Sequence, residues 1–76
     1  MDEEAFNLSV RRFLKKLGIT SQREIEQGVR ERIDAGGLDG TETLEARAVV
    51  TVDGLERDIV VTGEIALSGE PSGSPK

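Results

Sequence analysis

The chain has 76 residues and a net charge of −5, and it contains no Cys, His, Trp or Tyr. Without thiols or imidazoles it lacks the usual ligands of zinc, haem and iron–sulfur clusters, and it cannot form a disulfide. The acidic charge disfavours non-specific binding to nucleic acid or to anionic lipid, and the length predicts one small domain.

The first predicted element is a helix over residues 3–17. Apolar residues recur there at the spacing of one helix face, at Phe6, Val10, Phe13, Leu14 and Leu17. Acidic residues at the start of this segment and basic residues towards its end complement the helix dipole. Gly18 follows as the expected left-handed residue that ends the helix.

A second helix is predicted over residues 21–35. Ser21 and Glu24 have the spacing of a capping box, which favours a new helix start at this point. The apolar residues Ile25, Val29 and Ile33 repeat every four residues, and Ala35-Gly36-Gly37 ends the helix.

After this segment the apolar residues recur at every second position, which predicts a β-hairpin with strands over residues 43–52 and 55–67. Asp53-Gly54 between them favours a two-residue type I′ turn. That turn would pair Val52 with Leu55, and it would place the alternating apolar residues of both strands on one face. Arg57, opposite Val50, is the exception on this face.

We therefore predict an α+β fold with two N-terminal helices followed by a two-stranded antiparallel hairpin. The helices and the hairpin would form one domain over residues 1–67, with the apolar helix faces packed on the apolar hairpin face. Residues 68–76 are rich in Gly, Ser and Pro, and their composition predicts a flexible tail.

An enzyme is not expected from this sequence. General bases and nucleophiles are limited to carboxylates, hydroxyls, Lys and Arg, and two helices on a hairpin rarely enclose a cleft. Gly36-Gly37 precedes a predicted strand, whereas a phosphate-binding loop lies directly before a helix. We expect no catalytic residue, no metal site and no cofactor.

A nucleic-acid binder is the alternative interpretation. Residues 17–21 resemble the turn of a helix-turn-helix motif, and the second helix would then face DNA. Glu24, Glu26 and Glu31 on that helix would repel phosphates, and Glu24 occupies a position that is usually apolar in the motif. The acidic hairpin tip is also unlike a basic wing, so we do not expect nucleic acid as the partner.

A protein-interaction or accessory module is the favoured interpretation. A lone two-stranded hairpin leaves both edges unpaired and is only marginally stable, so pairing with a second copy or another protein's strand would stabilise it. The hypothesis is a homodimer formed through hairpin edges, against the alternative of a self-sufficient monomer. The candidate interaction residues are Arg11, Arg12, Lys15, Lys16, Val49 and Val60.

The location predicted from the sequence is the cytoplasm. No apolar run approaches the roughly 20 residues of a membrane helix, and no membrane contact is expected. The N-terminus begins with Asp2-Glu3-Glu4, where a secretion signal would be basic and then apolar.

One stretch of the sequence resembles a known family. It is FNLSVRRFLKKLGITSQREIE, residues 6–26, together with Gly54-Leu55 and Gly63-Glu64-Ile65. It is similar to a short family of proteobacterial proteins of about the same length and of unknown function. The resemblance implies a bacterial cytoplasmic protein, and it carries over no activity and no functional residues.

Overall fold

The computed structural model describes residues 1–69, which contain one helix and one two-stranded sheet. Helix α1 spans Glu3–Asp34, and strands β1 and β2 span Thr43–Val50 and Ile59–Ala66. The chain divides into two compact units, the first Met1–Gly37 and the second beginning at Leu38. The α+β class is confirmed. The prediction of two N-terminal helices is wrong, and the predicted tail falls almost wholly outside the described residues.

Helix α1 continues without a break through Gly18, where the sequence predicted a stop. Gly18 has no positive φ, and Ser21 lies inside the helix instead of capping a new one. Glycine inside a helix costs about 1 kcal/mol relative to Ala. A break would leave up to about eight backbone groups without helical partners. Continuing the helix is the smaller cost, and the predicted spans 3–17 and 21–35 merge into one.

Both ends of α1 are capped by local hydrogen bonds. At the start, the Asp2 side chain accepts a hydrogen bond from the Ala5 amide at 3.1 Å. At the end, Gly36 has a φ of 85°, and its amide donates to the Ile33 carbonyl. The Gly37 amide donates to the Arg32 carbonyl at 2.8 Å, which completes a Schellman motif. Gly36 therefore is the helix stop that Gly18 is not.

Strands β1 and β2 form an antiparallel ladder that is offset by two residues from the predicted register. Val50 pairs with Ile59 and Ala46 with Gly63, whereas the sequence predicted Val50 opposite Arg57. The observed offset removes Arg57 from the ladder and leaves only apolar residues and Gly63 on that face. An even offset keeps every side chain on its original face, so the two apolar sets still share one face. The strands are shorter than the predicted spans 43–52 and 55–67.

The connection between the strands contains a turn at Val52–Leu55, but it is not the predicted type I′ turn. The Leu55 amide donates to the Val52 carbonyl at 3.1 Å, and Gly54 has a φ of 90°. A type I′ turn needs positive φ at both central residues, and Asp53 has none. Positive φ at the second central residue alone is typical of a type II turn. Residues 51–58 separate the two strands.

No residue in the range 1–69 is buried. On the helix, Phe6, Phe13 and Leu14 expose 49%, 48% and 51% of their surface. On the hairpin, Ile59 and Val61 expose 48% and 59%. Within these residues, neither unit has a buried core of its own. The predicted packing of the helix faces on the hairpin face and the single-domain organisation stay predictions.

We expect Gly18→Ala to stabilise the protein by about 1 kcal/mol, because Ala has the higher helix propensity. A Cβ at this position would meet no atom within 4 Å, so the substitution adds no clash. The measurement is thermal unfolding followed by circular dichroism at 222 nm.

Gly28→Ala is the matched control, since Gly28 also lies inside α1 with open space around it. It should stabilise by a similar amount. Destabilisation by Gly18→Ala alone would mean that Gly18 is a left-handed helix stop and that α1 is two helices.

Candidate interaction surfaces

The two edges of the hairpin present unpaired backbone groups. The Leu67 amide donates to the Glu42 carbonyl at 2.9 Å, which extends the ladder by one hydrogen-bonded pair. Hydrogen-bonded and non-hydrogen-bonded pairs alternate along an antiparallel ladder. The amides and carbonyls that point away from the partner strand therefore belong to Thr43, Glu45, Arg47 and Val49 in β1, and to Val60, Thr62, Glu64 and Ala66 in β2.

One face of the hairpin carries no polar side chain within the two strands. We call it the apolar face, and its residues are Leu44, Ala46, Ala48, Val50, Ile59, Val61, Gly63 and Ile65. Exposure of contiguous apolar surface of this kind marks an interaction site or an aggregation liability. A two-stranded hairpin alone cannot bury one of its own faces.

The opposite face carries charges in an uneven arrangement. Glu45 lies directly opposite Glu64, a like-charge pair that weakens the hairpin. Arg47, opposite Thr62, lies diagonally to Glu64 and offsets part of this repulsion. None of these groups is buried, so each keeps contact with water.

Val49 and Val60, two candidates from the sequence, lie directly opposite each other on this second face. The predicted register would have separated them. They expose 46% and 49% of their surface. They form a small apolar spot next to the charged pairs, at the end of the hairpin that carries the turn.

The four basic candidates lie along the N-terminal half of α1, and all four are exposed. At about 100° of rotation per residue, they lie on the side opposite the apolar stripe of the same half. Three of them, Arg12, Lys15 and Lys16, border a shallow depression with Ile19 and Thr20. The structure thus brings the basic residues together on one helix surface, and the two valines belong to the other unit.

The apolar residues of α1 do not form one straight stripe. Those of the N-terminal half and those of the C-terminal half, Ile25, Val29 and Ile33, point about 120° apart around the helix axis. The helix-turn-helix alternative loses its structural basis, because residues 17–21 form no turn. Within the C-terminal half, the exposed side chains of Arg30 and Glu26 approach each other to 3.9 Å.

The loop before β1 is held by a reciprocal set of hydrogen bonds. The Asp39 carboxylate accepts from the Thr41 hydroxyl at 2.6 Å and from the Thr41 amide at 2.8 Å. The Glu42 carboxylate accepts from the amides of Asp39 and Gly40. The bonds from Thr41 hold the pKa of the Asp39 carboxyl below its ordinary value of 3.8. This loop fixes the entry into β1.

Two further properties of the described residues bear on binding. Within residues 1–69, no three acidic side chains come together in a group that could hold a metal ion. Over the same range, no helix combines the length and the apolar character needed to cross a bilayer.

Comparisons with known proteins identify a family but no function. A family model described as "Family of unknown function (DUF6494)" matches residues 1–68. No curated protein matches the chain, and no solved structure does. The resemblance to a family of unknown function is confirmed, and it brings no residue with a known role.

We expect Asp39 to titrate below pH 3.8 in the folded protein. Because its folded pKa is lowered, the ionised carboxylate stabilises the loop above the unfolded pKa, and this stabilisation is lost as the pH falls through the folded pKa. The measurement is an NMR titration of the Thr41 amide shift, with Asp39→Asn as the control that removes the transition. A midpoint at or above 3.8 would contradict the observed hydrogen bonding.

Proposed function

Since the chain belongs to the DUF6494 family of unknown function, we propose a role from the hairpin itself. The protein is a small, non-enzymatic protein-interaction or accessory module, and its hairpin edges pair with a strand of another protein molecule. The observation that carries this proposal is a two-stranded sheet with two unpaired edges and an exposed apolar face.

Sheet stability supports the proposal. Two strands alone are marginally stable in water, whereas three or more strands with one apolar face are stable. Adding a strand at either edge satisfies the outward-pointing backbone groups and widens the apolar face. An exposed edge without protection would be an aggregation hazard, which gives a specific partner a structural purpose.

The composition supports a role without catalysis. The full sequence offers neither Cys nor His, and the acidic residues of the described range are spread over helix α1, the loops and the polar hairpin face. We also propose a bacterial origin and a cytoplasmic location, on the sequence resemblance and the acidic N-terminus. Protein is the expected partner, with neither nucleic acid nor membrane involved.

We expect the full chain to sediment as a species heavier than its 8.2 kDa monomer, with a mass that rises with concentration. Sedimentation equilibrium over a micromolar range measures this. A concentration-independent monomer mass would exclude self-association, and the proposal would then require a foreign partner strand.

Val49→Pro and Val60→Pro test whether an edge is used. Each removes one outward-pointing amide, from β1 or from β2, without removing a hydrogen bond of the observed ladder. Circular dichroism checks that each variant stays folded. One of them should weaken association, and equal association for both and the natural protein would contradict pairing through an edge.

A further inference from the structure

We propose that the edge strand β1 pairs antiparallel with β1 of a second copy of this chain, about a two-fold axis at Ala46. In this arrangement Glu45 lies opposite Arg47 of the second copy, and Arg47 lies opposite its Glu45. The inference rests on the proposed function and deepens it by naming the edge, the register and the partner.

The alternation of the existing ladder restricts the registers available to β1. Its outward-pointing backbone groups belong to Glu45, Arg47 and their odd-numbered neighbours. A two-fold pairing must therefore join odd residues with odd residues, which also keeps the apolar faces of both hairpins on one side. The centres that keep at least about five of the eight β1 residues in the overlap are Glu45, Ala46, Arg47 and Ala48.

Charge decides among these four centres. Centring on Glu45 places two glutamates opposite each other, and centring on Arg47 does the same with two arginines. Centring on Ala48 places Arg47 opposite Val49 and forms no ion pair within the strands. Centring on Ala46 creates two opposite-charge pairs, each directly across the new ladder. Like charges directly opposite destabilise a sheet and opposite charges stabilise it, so the Ala46 register is favoured.

The other edge has no such self-complementarity. The outward-pointing residues of β2 include one charged side chain, Glu64, and no basic one. Pairing β2 with a second β2 would therefore form no ion pair within the strands. In the β1 arrangement, Glu45 also gains a cationic neighbour across the new ladder, which offsets its repulsion from Glu64 in its own hairpin.

The small side chain at the two-fold axis permits the two antiparallel strands to lie close together. Ala46 would face Ala46 of the second copy in a non-hydrogen-bonded pair, where the Cα atoms approach to about 4.5 Å. Its partner in the existing ladder is Gly63, so the side chains on the apolar face are small at this point. The result is a four-stranded sheet in which β1 strands are central and β2 strands are the outer edges.

Charge reversal tests the ion pairs. Glu45→Arg places two arginines opposite each other at both contacts, and Arg47→Glu places two glutamates there. Each single variant should weaken self-association by about tenfold or more, as measured by sedimentation. The double variant E45R/R47E restores both opposite-charge pairs and should recover the natural affinity.

Mixing the two single variants gives the sharpest outcome. A chain carrying Glu45→Arg and a chain carrying Arg47→Glu have opposite charges at every contact, so they should form a heterodimer although each associates poorly alone. Glu45→Arg also places an arginine opposite Glu64 in its own hairpin. Its loss of association should therefore accompany a hairpin that is at least as stable, which separates the effect from unfolding.

A cysteine at the axis tests the register. The natural chain has no Cys, so Ala46→Cys introduces the sole thiol. A Cα separation of about 4.5 Å permits a disulfide, and mild oxidation should crosslink this variant as a dimer. Ala48→Cys is the matched control, because it would lie opposite Leu44 of the second copy and should not crosslink efficiently.

Gly63→Cys reports the competing use of β2. A Cβ at Gly63 would meet no atom within 4 Å and its φ is not positive, so the substitution is tolerated. A dimeric protein that crosslinks through Gly63→Cys but not Ala46→Cys would overturn the β1 register and leave the proposed function standing. A natural chain that stays monomeric at all concentrations would overturn the β1 dimer directly.

Discussion

The backbone ladder between β1 and β2 organises the second unit of this protein, because side chains alternate strictly between the two faces of a strand. Once Val50 is paired with Ile59, this alternation assigns every residue of the hairpin to a face. It also determines which amides and carbonyls point outward. The apolar face, the charged face and the two edges all follow from this single pairing.

The helical unit has a different origin. Its hydrogen bonds are all made within one segment, and Asp2 and Gly36 supply the caps at its two ends. A long helix of this kind needs no neighbour to satisfy its backbone, but its apolar side chains remain half exposed. The helix backbone is thus hydrogen-bonded, while the apolar side chains of the helix stay partly exposed. The hairpin has both unpaired backbone groups at its edges and exposed apolar side chains.

Sequence reasoning was most successful where one strong local signal acts. The alternating pattern predicted the hairpin and its apolar face, and Ala35-Gly36-Gly37 predicted the end of the helix. It failed at Gly18, because glycine, a possible cap at Ser21 and a basic last turn all suggest a stop, while the cost of opening eight backbone groups is not visible in a pattern. The predicted register was also wrong. The prediction followed the turn signal of Asp53-Gly54, although this register placed the charged Arg57 on the apolar face.

The candidate residues show the same limit. Val49 and Val60 were selected as exposed apolar residues, and only the observed register reveals that they are opposite each other. Glu45 and Arg47 were not selected, because their position at an edge depends on which pairs are hydrogen-bonded. The sequence does show two opposite charges, Glu45 and Arg47, two residues apart on one face of a strand. Their place at an edge is known only once the hydrogen-bonded pairs of the ladder are known.

The simple connectivity of the helix and the hairpin has a kinetic consequence. Helix α1 is built from neighbours in sequence, and the β1–β2 ladder joins two consecutive antiparallel strands. Helices form in about 1 μs and hairpins in about 1–10 μs, so α1 and the β1–β2 hairpin fold without a slow step of their own. If a second copy completes the sheet, the encounter of two chains would limit the rate of maturation. Dilution would then slow folding as well as shift its equilibrium.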